Sequence, residues 1–268
     1  MDCITIQRGN DGFGSQLFSI ISGLSYCVKN NCQYTHSQIN NIKLIDKDEF
    51  QNDELSKSNL MINEIIENLG MNSERTDCRV YPFLHNHIFD NDVDKFFTED
   101  FIKSLNKSYP YPKPDIFKNG KINIAIHIRR GDDIPTTPNP NFIDFQQNYF
   151  ERWIKSEVYD ELIFKLNEKI PNAMFHIFSW NNPQLKISLP NIVYHTVTNG
   201  EKFIDDFNLL VHSDLLVVGS STFSISAGFF NSNKVICHDS LCKLPKTPIP
   251  SIWVNNYHKI LENEHNIN

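Results

Sequence analysis

Two adjacent arginines, Arg129 and Arg130, close an apolar run that starts at Ile122, and the turn Gly131-Asp132-Asp133 follows them. A guanidinium is a planar fork that pairs bidentately with phosphate oxygens and keeps its charge at any physiological pH. The pair therefore points to an anionic ligand, phosphate first. Neighbouring residues on an extended segment face opposite ways, so at least one of the two guanidiniums should turn inward. The competing reading is surface charge paired with Asp132 and Asp133. As an adhesion tripeptide, Arg130-Gly131-Asp132 would be poorly presented directly after a buried strand. Asp132 is a carboxylate close enough in sequence to act as a general base beside the arginines; its other reading is an ion pair that orients Arg129.

Two further groups have residue types suited to an anion or a sugar. Near the start, Gly12-Phe13-Gly14-Ser15-Gln16 follows a short apolar stretch, and glycines in such a turn let backbone N–H groups approach a ligand closely or simply make the turn tight. Late in the chain, Asp205-Asp206 opens a helical pattern, and Gly219-Ser220-Ser221-Thr222-Phe223-Ser224 lies between an apolar run and a second helix. A small, hydroxyl-rich turn at a helix N-terminus grips phosphate through N–H groups and hydroxyls, here without the lysine of a Walker loop. The two acidic residues also suit a helix dipole with no ligand involved. Asp90-Asn91-Asp92 and Asp92-Val93-Asp94 match the Asp-x-Asp pattern of metal-dependent sugar-nucleotide sites, but no convincing buried strand precedes them.

The elements that must position these groups read as an alternation. Cys3 to Gln7 predicts a strand and Gln16 to Lys29 a helix, the opening of an α/β unit. Residues 40–119 are polar and irregular, with a helix near Lys57 to Leu69 and a strand near Cys78 to Phe83. The proline-spaced segment Tyr109 to Pro114 reads as a connector, which gives domains of 1–118 and 119–268. The second half predicts strands at Ile122 to Ile128, Ala173 to Ser179, Ile192 to His195, Leu215 to Val218 and Lys234 to His238. Helices are expected near Phe145 to Lys169, at Glu201 to Ser213 and from Thr222. Short β-branched strands alternating with helices imply a parallel sheet covered on both faces, where ligands bind beyond the carboxyl ends of the strands.

Composition sets outer limits. The 268 residues are 40% hydrophobic and 21% charged, enough for a substantial core, and a formal net charge of -7 argues against general nucleic-acid binding. No stretch has the form of a signal peptide or a membrane helix, so a soluble, cytoplasmic protein without membrane insertion is expected. The six cysteines are scattered without Cys-x-x-Cys or zinc-like spacing, which favours free thiols over disulfides or a metal site.

Gly12 to Phe18, His127 to Asp132 and Asp206 to Ser226 together resemble the superfamily of α1,2-, α1,6- and protein O-fucosyltransferases. The block His127-Ile128-Arg129-Arg130 is similar to the His-x-Arg-Arg hallmark of the α1,2 (family 11) and α1,6 groups. The resemblance implies a GT-B-like fold of two Rossmann-like domains, with the C-terminal half binding a GDP-sugar. It also implies metal-independent, inverting transfer of fucose from GDP-fucose to a glycan hydroxyl, with no cofactor beyond the donor substrate.

By position, the resemblance implies that His127 and Asp206 contact the guanosine and that Arg129 or Arg130 lies on the β-phosphate. Ser221, Thr222, Phe223 and Ser224 would run along the pyrophosphate, while Gly12, Gly14 and Gln16 face the donor. The sequence departs from the α1,2 pattern at Ser15, at Ile225-Ser226 and at Trp180-Asn181. A catalytically silent GDP-sugar or glycan-binding module, or a transferase using another nucleotide sugar, stays open beside the leading reading.

Overall fold

The structure is a computed structural model, described for residues 2–7, 11–42, 52–130, 154–180, 183–196, 202–237 and 249–262. It is an α/β protein with two parallel sheets. The first half contains β1 (Cys3–Thr5), α1 (Phe13–Asn30), β2 (Gln33–Tyr34), α2 (Asn52–Asn68) and β3 (Arg79–Val80). Three short helices follow: α3 (Leu84–Asp90), α4 (Val93–Phe96) and α5 (Glu99–Ser108). Its sheet has the order β2-β1-β3, and its strands are only two or three residues long.

After a 3₁₀ turn at Asp115–Phe117, the second half contains β4 (Ile122–His127), α6 (Ser156–Lys169), β5 (Ala173–Ser179) and β6 (Ile192–Thr196). It continues with α7 (Phe203–His212), β7 (Leu215–Val217), α8 (Thr222–Phe230), β8 (Lys234–Ile236) and α9 (Ser251–Glu262). The strand order is β6-β5-β4-β7-β8. β4 is central and its residues Asn123 to Ile126 are buried, which is why it reads as an almost unbroken apolar run. From β4 the chain winds one way through β5 to β6, and from β7 the other way to β8. The reversal falls between β4 and β7, and at such a switch point the carboxyl ends of adjacent strands open a crevice.

The two halves are stitched together. α1 packs along α8, with Phe18 and Phe229 rings 6.2 Å apart. Asn106 on α5 donates its amide to the carbonyls of Phe229 (3.0 Å) and Asn231 (2.9 Å), closing the end of α8. Lys113 in the connector pairs with Asp214 at 2.9 Å. Asp94 accepts from the backbone and the hydroxyl of Ser251 at the start of α9. Asp94 of the Asp-x-Asp stretch therefore fastens a helix, and Asp92 pairs with Lys95. Among the described residues no group of acidic, Cys or His side chains is arranged to hold a metal.

Several expectations change. α1 begins at Phe13, so Gly14 lies inside the helix rather than in a loop before it, and α2 begins at Asn52. The strand expected at Cys78 to Phe83 contracts to two residues, and the region called irregular holds α3 to α5. The sequence carries the signal for α5: Thr98 accepts from the Phe101 N–H at 3.3 Å, acidic Glu99 and Asp100 follow, and Phe101, Leu105 and Ser108 form the buried face. α6 starts at Ser156, after the non-helical Ile154 and Lys155, and positions 145–153 of the expected helix lie outside the described residues. α9, at Ser251–Glu262, has no counterpart among the expected elements.

The cysteines also differ from expectation. Cys3 and Cys78 form a disulfide, and Cys237 is disulfide-bonded as well; Cys27 and Cys32 are free. Parallel pairing of β1 with β3 brings Cys3 beside Cys78, a proximity that linear spacing does not reveal. Disulfides persist in oxidising compartments, so cysteine usage gives no support to a reducing setting. No helix among the described residues is long and apolar enough to cross a membrane.

Candidate functional site

The carboxyl end of β4 delivers His127, Ile128, Arg129 and Arg130. β-alternation sends Ile128 and Arg130 to one side and His127 and Arg129 to the other. Arg130 is buried at 4% exposure. Its guanidinium donates to the carbonyls of Arg129 (2.9 Å) and Ile154 (3.0 Å) and to Ser156 Oγ (3.1 Å), and it lies 6.0 Å from the centre of the Tyr159 ring. Arg130 thus ties the strand end to the start of α6. Arg129 is half-buried, and its charge acts on His127.

His127 sits at the switch point. Its Nδ1 is 3.2 Å from Ser224 Oγ in the first turn of α8, and its ring is 5.7 Å from that of Phe223. Burial, reinforced by the Arg129 charge, pushes its pKa down to about 3. At neutral pH the imidazole is therefore an uncharged hydrogen-bonding group. Gly219, the link from β7 to α8, lies directly against the His127 carbonyl, and a side chain there would collide with it. Ser224 Oγ also accepts from the Gly219 N–H at 3.1 Å, locking the turn.

α8 starts with Ser221 as its N-cap, the hydroxyl accepting from the Phe223 N–H at 3.4 Å. Ser221, Thr222 and Phe223 are the partly exposed residues of this turn; the rest of α8 is buried. The N-terminus of α1 meets it there. A Cβ on Gly14 would stand 2.5 Å from Phe223 N and Cα, Ser15 Oγ is 3.1 Å from Thr222 Oγ1, and Ser226 donates to the Gly14 carbonyl at 3.1 Å. Phe13 packs against Phe207 (5.4 Å) and Phe223 (6.4 Å), joining α1, α7 and α8 in one aromatic cluster. The N-termini of α1 and α8, each carrying the partial positive charge of a helix start, thus meet beside His127.

Of the residues picked out from sequence, Gly14, His127, Ser221, Thr222, Phe223 and Ser224 belong to this junction, and Arg129, two residues beyond His127, acts on it through its charge. Gly12 is the N-cap of α1. Gln16 is buried, and its amide donates to the carbonyls of Asp11 (2.8 Å) and Asn41 (2.7 Å), bracing the approach to α1. Asp206 lies one residue from the aromatic cluster in the first turn of α7. Burial, together with the charges of Asp205 and Glu54, raises its carboxyl pKa to about 7. Asp132 lies outside the described residues.

Sequence reasoning places Phe13, Ser15 and Gly219 inside candidate turns without giving them a role of their own, and it does not single out Glu54. Gly219 was legible in principle, since it is the sole glycine between an apolar strand and a helix cap. Phe13, Ser15 and Glu54 act across the two halves, and no local pattern marks that.

No protein-family model matches the chain, and no curated protein matches it in sequence. Among solved structures, NodZ alpha-1,6-fucosyltransferase soaked with GDP-fucose is similar over 86% of this chain and 93% of its own, at 11% identity and a TM-score of 0.44. Fucosyltransferase NodZ from Bradyrhizobium is similar over 85% and 92%, at 11% identity and a TM-score of 0.42. A mutant of Arabidopsis thaliana FUT1 in complex with GDP is similar over 92% and 74%, at 12% identity and a TM-score of 0.41. Overlaps of this depth assign no activity and no residue role to this chain.

Proposed function

We propose that this protein is a glycosyltransferase that moves fucose from GDP-fucose to a glycan hydroxyl, with inversion and without a metal ion. The observation that carries the reading is the convergence of two helix N-termini and a neutral His127 at the switch point of a parallel sheet, with the charge of Arg129 acting on that histidine. These are the groups a diphosphate ester requires. They come from the three sequence blocks that resemble the fucosyltransferase superfamily. On this reading residues 1–118 form the acceptor side and 119–268 the donor side of a GT-B-like scaffold, with an α1,2 linkage and kinship to the family 11 enzymes.

The reaction breaks the bond between the sugar's anomeric carbon and a β-phosphate oxygen while the acceptor oxygen attacks from the opposite face. Positive charge builds on the sugar and negative charge on the departing diphosphate. Arg129 and the first N–H groups of α8 stabilise the second charge, with Ser221, Thr222, Phe223 and Ser224 along the pyrophosphate. His127, held by Ser224, hydrogen-bonds the nucleotide without competing positive charge, and Asp206 contacts the guanosine. Gly12, Gly14 and Gln16 set the α1 wall that faces the donor. Asp132 takes the proton of the acceptor hydroxyl.

The test is thermal stabilisation of the full chain by GDP, GDP-fucose, GDP-mannose and UDP-sugars, each with and without EDTA. Stabilisation by the guanosine ligands that survives EDTA is expected. Stabilisation by UDP-sugars alone would overturn the donor, and guanosine binding without hydrolysis or transfer of fucose would make the chain a binding module.

A further inference from the structure

We propose that Glu54, on α2 of the first half, is a positioning residue of the donor site, which caps α7 from across the molecule and governs the state of Asp206. The proposal rests on the GDP-sugar reading for its functional consequence, but its geometry stands apart from that reading.

α7 has no cap of its own. Lys202 occupies the N-cap position and its side chain makes no capping bond. The N–H of Ile204 is instead taken by Glu54 Oε2 at 3.0 Å. The other oxygen of Glu54 holds Lys57 Nζ at 2.8 Å, and the carboxylate is only 3% exposed. A buried carboxylate is costly unless it is paired and hydrogen-bonded, and these two partners meet that condition. α2 packs against both α5 and α7, so the bond joins the first half to the helix that presents Asp206.

An acidic cap strengthens a helix start, but a second carboxylate in the same turn then feels its charge. Asp205 in its own turn and Glu54 from α2 are the charges that raise the Asp206 pKa, after burial itself. Lys57 pairs with Glu54, which is the main cause of its own raised pKa, with Asp205 and Asp53 adding to it. Tyr111, in the connector, feels Glu64, Lys57, Glu54 and Asp205. At the same sheet end β4 contributes His127, on which the charge of Arg129 acts. Glu54 is thus a lever by which the docking of α2 reaches the nucleoside end of the site: when α2 is seated, α7 is capped and Asp206 favours its protonated form.

The test titrates the Asp206 carboxyl by ¹³C NMR in the ligand-free full chain, assigned with Asp206→Asn, and measures GDP affinity across the same pH range. Glu54→Gln keeps an acceptor for Ile204 but removes the charge, so the Asp206 midpoint should fall by about half a pH unit or more. Lys57→Met, at an exposed position, leaves Glu54 uncompensated and should move the midpoint upward. If Glu54→Gln does not fold, the Lys57 variant decides alone. With GDP bound, the pH profile of affinity should move with the carboxyl in each variant. A midpoint unmoved in every folded variant overturns the proposal. A wild type that binds no GDP overturns the nucleotide reading instead, and the ligand-free titration still settles the role of Glu54.

Discussion

Gly14 and Phe223 meet backbone to backbone: a Cβ on Gly14 would lie 2.5 Å from the amide nitrogen and Cα of Phe223 and 2.9 Å from the Thr222 carbonyl carbon. No side-chain rotation relieves such a contact, because the obstructing atoms are main chain. The glycine therefore sets the distance between the starts of α1 and α8, and with it the width of the junction beside His127.

Gly14→Ala should for that reason destabilise the protein although alanine favours helix. The steric cost of about 1–3 kcal/mol for overpacking exceeds the propensity gain of up to about 1 kcal/mol. Chemical denaturation of variant and wild type measures the difference. An unchanged midpoint would mean that α1 and α8 shift apart freely.

The junction was partly legible in the sequence, and the reason differs from residue to residue. Ile122 to His127 reads as a strand because a parallel strand buried on both faces needs an unbroken apolar run. The alternation rule then foresees that Arg129 and Arg130 diverge, but it does not say which one faces the ligand; that depends on the contacts Ile154 and Ser156 make with Arg130. Gly14 reads as a turn residue because glycine signals flexibility and close packing alike, and only the partner helix tells them apart. Cys3 and Cys78 show the same limit, since β1–β3 pairing creates their proximity. α5 is a different case: the Thr98 cap and the Phe101/Leu105 face were present and outweighed by the polar composition around them.

The disulfide gives a second prediction. Cys3 and Cys78 lie 75 residues apart in sequence, and closing a loop of that order removes enough unfolded-chain freedom for about 4 kcal/mol. A Cys3→Ser/Cys78→Ser double variant should lose about that much stability, or roughly 10 °C in Tm. Peptide mapping under non-reducing conditions reports the bond directly. A double variant as stable as the wild type would show that the link adds nothing to the β1–β3 pairing.

Acid should destabilise the protein through the imidazole pair on β5 and β6. His176 Nδ1 is 3.0 Å from His195 Nε2, and His176 Nε2 is 3.2 Å from Asn123 Oδ1. Asn123 Oδ1 can only accept, so His176 donates from Nε2 and accepts at Nδ1, an arrangement that a second proton would break. Burial, with the His195 charge second, lowers its pKa to about 4. Above the ordinary histidine value near 6.5 both folded and unfolded chains are neutral here and the full contribution is present. As pH falls toward 4 the unfolded chain takes the proton first, and up to about 3 kcal/mol is lost. Asp206 works in the opposite sense: its raised pKa favours the folded state below the ordinary carboxyl value, a contribution lost as pH rises toward 7. Urea unfolding at pH 7, 6 and 5 in an Asp206→Asn background isolates the histidine contributions, and His176→Phe should reduce the acid loss without abolishing it, because His127 and His36 are also held low by burial. An equal acid loss in that variant would place the titration elsewhere.

The two arginines should separate chemistry from stability. Arg129 acts on His127 through its charge, and on the proposed reading Arg129→Ala should lower fucosyl transfer or GDP-fucose hydrolysis by about 100-fold or more, the usual cost of removing one preorganised partner of a developing anion. Its Tm should fall less than that of the Arg130 variant, because Arg129 is half-buried whereas Arg130 is buried and holds the Ile154 carbonyl and Ser156. Arg130→Ala strips the Arg129 and Ile154 carbonyls and Ser156 of their donors, at about 2–3 kcal/mol, and should lower Tm by several degrees. Arg130→Lys should recover little of this, since a single ammonium cannot reproduce a planar fork addressing separate acceptors. Turnover measured at a temperature where each variant is fully folded keeps the two effects apart. If Arg129→Ala lost its fold while Arg130→Ala lost only its rate, the inward and outward faces of the β4 end would have to be exchanged, and the anion would lie on the α6 side of the sheet.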